Sequence, residues 1–230
     1  GKPSINRVWK NRVAVLMGDF IISKALINMI GLKDFDALKI ISDTTEKLCA
    51  GEILQMEKSL TRRMTKKIYF EMINQKTASL IATSCELGAI TTSKITQDRL
   101  ATFQFGENLG MAFQIKDDLF DLLGAEYETG KDSGGDVKKN MMTLPLIYSY
   151  DIMPKLERRR LKTLLGRKKK TAKIMQELKE MVEASGGFKY ARQKLDEFSN
   201  NALEAISTYP DSPIKRSLSG MVAFNVSRVR

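Results

Sequence analysis

Three aspartates lie close together in a segment that otherwise has the apolar pattern of a buried helix. Asp117 and Asp121 are one helical turn apart on one face, and Asp118 lies beside them. Carboxylates at this spacing repel one another, so a cation must compensate them. Oxygen ligands without a histidine favour a hard cation such as Mg²⁺, which often bridges a few carboxylates to substrate phosphates. The core-like neighbours Phe113 and Leu119 favour this metal site over a solvated acidic face held by surface lysines.

The composition excludes several kinds of chemistry. The 230 residues contain no histidine, which excludes Ser-His hydrolases, His-ligated zinc and imidazole acid–base catalysis. No uninterrupted apolar run approaches the ~18 residues that a membrane span needs, and the N-terminus does not resemble a secretory signal. We therefore interpret Cys49 and Cys85 as reduced thiols, and we expect a cytoplasmic protein without stable membrane insertion.

The chain is strongly basic, with a formal charge of +11. Much of this charge lies in residues 155–173, where it would attract polyanions. The run lacks the aromatic or glycine residues that are interleaved with positive charge in nucleic-acid-binding segments. We interpret it as a solvated helical surface and expect no nucleic-acid partner. A helical polyanion-binding protein is the alternative.

The hydrophobic pattern indicates helices through nearly the whole chain. Apolar residues recur at intervals of three and four, and no alternating strand pattern occurs. Thr61 or Thr65 begins a long helix that extends to Leu87, and Thr96 caps the helix that carries the acid triad. We predict one all-α domain over residues 1–230.

Residues 124–140 interrupt the helical pattern with glycines and with charges of both signs. A polar connection of this length in a compact helical domain is often a functional lid. Because the segment follows the acid triad directly, its lysines could fold back over whatever the metal holds. A purely structural loop is the alternative.

Several motifs occur in an order typical of one known family. They are Gly18-Asp19-Phe20, Gly51-Glu52-x-x-Gln55, Lys76-Thr77-Ala78, Phe113-Gln114-Ile115-x-Asp117-Asp118-x-x-Asp121, Gly130-Lys131, Gly134-x-Asp136 and Thr143-Leu144-Pro145-Leu146. In these motifs, which cover roughly residues 1–150, the chain resembles the trans-type prenyl diphosphate synthases. Each motif alone is weak, but their common order makes the resemblance specific.

The resemblance implies a fold and an activity. The fold would be an isoprenoid-synthase-type helical bundle around a central cavity for diphosphate and Mg²⁺. The reaction would elongate an allylic prenyl diphosphate by head-to-tail condensation with isopentenyl diphosphate and release pyrophosphate. Magnesium ions and lysines would stabilise the charge on the leaving group, and pyrophosphate could accept the proton. The missing histidines are consistent with such a mechanism.

The resemblance also implies which residues would hold the metal. Asp117 would ligate Mg²⁺ directly, while Asp118, Asp121 and Asp136 would hold metal-bound waters. For each of them the alternative is ordinary helix packing or a surface ion pair.

Other matching residues would bind the substrates. Lys76 and Lys131 would pair with the allylic diphosphate, and Thr77 and Gln114 would line the cavity near the forming carbocation. Phe113 would lie beside the isopentenyl group.

The chain departs from the family's usual residue at one position of the substrate site. Gln55 falls near the allylic head, as in the family, but Met141 stands where the family usually has a second lysine. Lys138 or Lys139 could replace that charge, because a flexible side chain reaches one helical turn. If neither does, the affinity for the allylic substrate should be weaker than is usual in the family.

The family's first aspartate-rich motif lies upstream of a segment like Gly1-Lys2-Pro3. We therefore expect the 230 residues to lack the N-terminal helices and this motif, and to be inactive alone. The apolar faces of residues 65–120 and the resemblance predict a homodimer. The length of the product does not follow from these residues. A non-catalytic partner subunit of a heteromeric synthase and a terpene cyclase of the same fold are alternatives.

Overall fold

The computed structural model describes residues 3–61, 64–123, 137, 141–167 and 169–228. In these residues all regular secondary structure is helical and no strand occurs, which confirms the all-α prediction. The chain divides into two compact units, one ending at Asp43 and the other beginning at Thr44.

The first unit contains helix α1, Ile5–Leu32, and the start of helix α2, Phe35–Thr61. No residue of α1 is buried, and its exposed side chains are mostly apolar. Among the described residues, α1 is the one helix long and apolar enough to cross a membrane. Asp19 and Lys24 interrupt its apolar run, and the expectation of no stable membrane insertion stays a prediction. Core helices and signal sequences share this composition, so the feature alone is weak evidence for a span.

The second unit contains the rest of α2 and a series of further helices. They are α3 Lys66–Ile73, a π-helical turn Asn74–Ala78, α4 Ser79–Ile90, α5 Thr96–Leu123, α6 Leu144–Ile152, α7 Lys155–Gly166, α8 Ala172–Ala184, α9 Gly187–Ala205 and α10 Pro213–Ser227. Helix α5 is central, since it packs against α4, the π-helical turn, α9 and α10.

The central helix has apolar residues on several sides because it is surrounded by other helices. Ile115, Leu119 and Leu122 belong to the larger core cluster. Phe105 and Leu109 belong to a smaller one, which includes residues of α9 and α10. Burial of each such side chain contributes roughly 1.5–3 kcal/mol to folding. These contacts hold α5, and the acid triad near its end, in one position.

The helix predicted to extend to Leu87 is divided by a π-helical turn. Helix α3 begins after Thr65, whose hydroxyl oxygen accepts a hydrogen bond of 3.3 Å from the amide of Ile68. The π-helical turn then joins α3 to α4 without a loop. Such turns insert one extra residue per turn and are frequent at functional sites. Periodicity could not indicate it, because the apolar spacing changes by only one residue.

Glycines allow α5 to approach its neighbours at backbone distance. A Cβ atom built on Gly110 would lie 2.5 Å from Cα of Ala78, and one built on Gly106 would lie 2.7 Å from Cα of Ala82. Both distances are too short for carbon atoms. The close contact of α5 with α4 and the π-helical turn therefore requires glycine at both positions.

We expect Gly110→Ala to lower the free energy of unfolding by about 1–3 kcal/mol, because the added methyl group forces the helices apart. Chemical denaturation followed by circular dichroism measures this change. Gly88→Ala is the matched control, since a Cβ atom there has no heavy atom within 4 Å. That substitution should be neutral or stabilise by up to about 1 kcal/mol through helix propensity. Equal losses in both variants would contradict the close-packing interpretation.

Candidate active site

The π-helical turn and helix α2 meet at a glycine. A Cβ atom built on Gly51 would lie 2.7 Å from the backbone nitrogen of Lys76. Only a residue without a side chain permits this approach. It places Glu52 and Gln55, which follow Gly51 on α2, beside the side chain of Lys76.

Lys76 is held in a pocket of about 530 Å³ that includes Glu52, Gln55 and Met141. Its ammonium group lies 3.1 Å from a carboxylate oxygen of Glu52 and donates a hydrogen bond to the amide oxygen of Gln55. The side chain of Lys76 is 31% exposed, so an anion can reach it from solvent. The structure thus brings together two of the predicted substrate-binding residues, Lys76 and Gln55.

Met141 lines the same pocket. Its sulfur atom accepts a hydrogen bond of 3.2 Å from the amide nitrogen of Gln55. A lysine at this position would add a second positive charge beside Lys76. The methionine leaves the described part of the pocket with less positive charge.

A chain of hydrogen bonds connects the π-helical turn to the acid triad. The hydroxyl of Thr77 donates to the amide oxygen of Gln114 at 2.9 Å. The amide nitrogen of Gln114 in turn donates to Asp118 at 2.9 Å. The hydroxyl of Tyr69 donates to the other oxygen of Asp118 at 2.7 Å. These hydrogen bonds fix the orientation of the Gln114 amide and hold Thr77 beside Gln114. Their predicted place near a forming carbocation stays a prediction.

The three aspartates of the triad have different environments. Asp118 is only 4% exposed, and both of its carboxylate oxygens accept hydrogen bonds from protein groups. Asp117 is 40% exposed, and Asp121 is partly exposed. Spacing placed the three acids on one face but could not show that one of them is buried. Tyr69 was not predicted as a site residue, because an apolar-helix pattern does not distinguish a buried tyrosine from other core residues.

Asp117 has a cationic partner that the sequence did not indicate. A guanidinium nitrogen of Arg228 lies 2.5 Å from its carboxylate, and the side chain of Arg228 is only 12% exposed. The same guanidinium group lies 4.3 Å from the ring centroid of Phe113. Phe113 thus lies beside the acid triad, and its predicted contact with the isopentenyl group stays a prediction. The separation of 111 positions between Asp117 and Arg228 explains why no local pattern could connect them.

The accessible carboxylates fit a Mg²⁺ ion that the protein would coordinate only in part, with water and substrate as the other ligands. No group of three or more acidic, cysteine or histidine side chains in the described residues could enclose a metal ion. Mg²⁺ usually keeps several waters and binds through one or two carboxylates together with substrate phosphates. Asp117 and Asp121, both accessible and four residues apart on α5, fit such a site. The guanidinium group on Asp117 shows that this carboxylate already attracts positive charge.

Four predicted site residues, Lys131, Asp136, Lys138 and Lys139, lie outside the described residues. They belong to the segment that was predicted to be a functional lid. Their roles stay predictions.

Comparison with known proteins identifies relatives of one kind. The family model described as polyprenyl synthetase matches residues 1–182. A probable mitochondrial hexaprenyl pyrophosphate synthase of Neurospora crassa is 31% identical over 99% of this chain. The match covers 51% of that relative, and the chain spans about half the length of curated relatives that it matches.

Solved structures share the fold. A decaprenyl diphosphate synthase from Rhodobacter capsulatus superposes with a TM-score of 0.92 at 27% identity, over 100% of this chain and 71% of that one. A polyprenyl synthase from Caulobacter crescentus, complexed with calcium and isoprenyl diphosphate, gives a TM-score of 0.89 at 28% identity, over 99% of this chain and 70% of that one. Since the family model matches well over half of the 230 residues, and the helical fold agrees, the chain belongs to the polyprenyl synthetase family.

Proposed function

We propose that the protein is a Mg²⁺-dependent prenyltransferase that extends an allylic prenyl diphosphate with isopentenyl diphosphate and releases pyrophosphate. The observation that carries this proposal is the convergence of Lys76, Thr77, Gln114 and the acid triad across the contact between the π-helical turn and α5. Membership in the polyprenyl synthetase family supports it. The structural relative from Caulobacter crescentus, which was crystallised with calcium and isoprenyl diphosphate, supports a site for a divalent cation and a prenyl diphosphate.

The charged residues divide into two groups that suit an allylic diphosphate. Lys76 offers a positive charge to the diphosphate, and Glu52 and Gln55 hold its side chain in place. Asp117 and Asp121 would hold the metal, with Asp136 as a further predicted ligand outside the described residues. When bound, Mg²⁺ would neutralise the charge that grows on the leaving pyrophosphate.

The uncharged residues suit the cation that remains after the carbon–oxygen bond breaks. Thr77 and Gln114 provide oxygen dipoles that are already oriented, and oriented dipoles stabilise a developing charge without reorganising. Asp118 and Tyr69 act as positioning residues, because they fix the Gln114 amide. The new carbon–carbon bond forms from the isopentenyl double bond, and the proton released afterwards can pass to pyrophosphate. No histidine is required in this scheme.

Other parts of the proposal rest on the family resemblance. They are a homodimer and a substrate contact from Lys131. A cytoplasmic location, a single domain and substrate contacts from Lys138 or Lys139 rest on the sequence pattern. A non-catalytic partner subunit is the alternative that Met141 favours, since this residue replaces a substrate-binding lysine of the family. Turnover by the full gene product distinguishes the enzyme from the partner subunit.

We expect Asp117→Asn to lower turnover of labelled isopentenyl diphosphate by roughly 10²–10³-fold or more, because it removes a charged oxygen ligand aimed at the transition state. The measurement is product formation by the full gene product with Mg²⁺ and an allylic primer. Asp211→Asn is the control, since it removes an equal charge from a carboxylate that is 76% exposed and pairs with Arg216. Unchanged turnover in the Asp117 variant would refute the metal assignment.

We expect Met141→Lys to tighten binding of the allylic diphosphate roughly tenfold, by adding a charge-assisted contact beside Lys76. Calorimetric titration with an allylic diphosphate and Mg²⁺ measures the affinity. Leu156→Lys adds the same charge to a residue outside this pocket that is 79% exposed, and should change the affinity little. If both variants bind equally tightly, general electrostatic attraction explains the gain, and the position of Met141 does not.

A further inference from the structure

The last turn of α10 is attached to the acid triad by one arginine. Arg228 donates to the carboxylate of Asp117 at 2.5 Å and to the backbone oxygen of Phe113 at 3.2 Å. Its guanidinium group lies 4.3 Å from the ring centroid of Phe113 and 5.4 Å from that of Phe120. Contacts of this kind use the planar, always charged guanidinium group, and a lysine would not reproduce them.

Neighbouring side chains hold Arg228 in this orientation. The side-chain oxygen of Asn225 accepts a hydrogen bond of 3.0 Å from the guanidinium Nε. Asn225 is buried, and its amide nitrogen has no partner among the described residues. The side-chain oxygen of Asn225 therefore pairs with Arg228, while its amide nitrogen has no partner among the described residues. An unpaired buried donor destabilises a fold.

A second cation anchors the same turn independently of Asp117. The ammonium group of Lys116 donates to the backbone oxygen of Val226 at 2.7 Å and lies 4.9 Å from the ring centroid of Phe120. Burial, together with the nearby charges of Arg228 and Arg192, lowers the pKa of Lys116. Because Lys116 contacts the backbone before Arg228, the end of α10 can stay on α5 while Arg228 moves.

There is also room for that movement. An open groove of about 680 Å³ lies beside Arg228 and is lined by Leu109, Phe113, Met221 and Phe224. The arginine side chain could therefore leave Asp117 without unpacking α10 from α5.

We infer that Arg228 is an internal counter-ion that occupies Asp117 when no metal is bound and leaves it when a metal–diphosphate complex arrives. This inference rests on the proposed role of Asp117 as a metal ligand. A guanidinium group and a divalent cation compete for the same carboxylate, so the arginine lowers the apparent affinity for the metal. The coupling is reciprocal, so a bound metal weakens the attachment of the last turn of α10. Metal occupancy is thereby linked to how firmly the last turn of α10 is held on α5.

The test is a titration of the full gene product with Mn²⁺ and inorganic pyrophosphate, followed by electron paramagnetic resonance of the free ion. We expect Arg228→Gln to bind Mn²⁺ roughly tenfold more tightly than the wild type. Arg228→Lys keeps the net charge but loses the planar contacts, and should also bind more tightly. Arg216→Gln is the control, since it removes a charge from the same helix that is paired with Asp211. It should leave the affinity unchanged.

Each other outcome has a defined meaning. Unchanged affinity in both Arg228 variants would overturn the inference. Weaker binding in Arg228→Gln would also overturn it, and would make the arginine a ligand for the anion. Asp117→Asn separates the two proposals: if it does not weaken Mn²⁺ binding, the metal assignment itself fails. If it does while the Arg228 variants match the wild type, only the counter-ion inference fails.

Hydrogen–deuterium exchange of the unsubstituted protein gives a second readout that does not depend on the folding of any variant. Addition of Mn²⁺ and pyrophosphate should speed amide exchange in residues 224–228, where the amide of Arg228 donates to the backbone oxygen of Phe224 at 2.8 Å. Slower or unchanged exchange there would contradict displacement of Arg228.

Discussion

The close approach of three backbones is the constraint on which the site depends. Helix α2 meets the π-helical turn at Gly51, and α5 meets the same turn at Gly110. Any side chain at either glycine would separate these elements. The turn then carries Lys76 toward α2 and Thr77 toward α5, so that consecutive residues serve different parts of the site. The absence of a side chain at Gly51 and at Gly110 therefore allows the residues of the site to come together.

Electrostatic balance of the acid triad is the second organising feature. Three neighbouring carboxylates require compensation, and the structure provides it in different ways. Neutral donors from Tyr69 and Gln114 satisfy the buried Asp118. A guanidinium group compensates the more accessible Asp117. Only a carboxylate that is still accessible can exchange its partner for a metal ion. Burial therefore favours a positioning role for Asp118, and accessibility favours the proposed ligand role of Asp117.

Several features could be predicted from the sequence because they depend on local spacing. The helical class follows from apolar residues at intervals of three and four, and it was confirmed. The start of α3 follows from the capping chemistry of Thr65. The grouping of Gln114 with the acids follows from a separation of four residues on one helix. The π-helical turn was missed, since one inserted residue barely changes the apolar spacing.

The sequence by itself determined the helical class, the family and the residue types able to hold a metal and a diphosphate. All of these are encoded in short segments of the chain. The tertiary structure alone decided that Asp118 is buried, that Lys76 shares a pocket with Met141, and that Arg228 contacts Asp117. The physical reason is distance along the chain. Burial and ion pairing depend on which helices pack together, and residues tens of positions or more apart leave no local pattern of their contact.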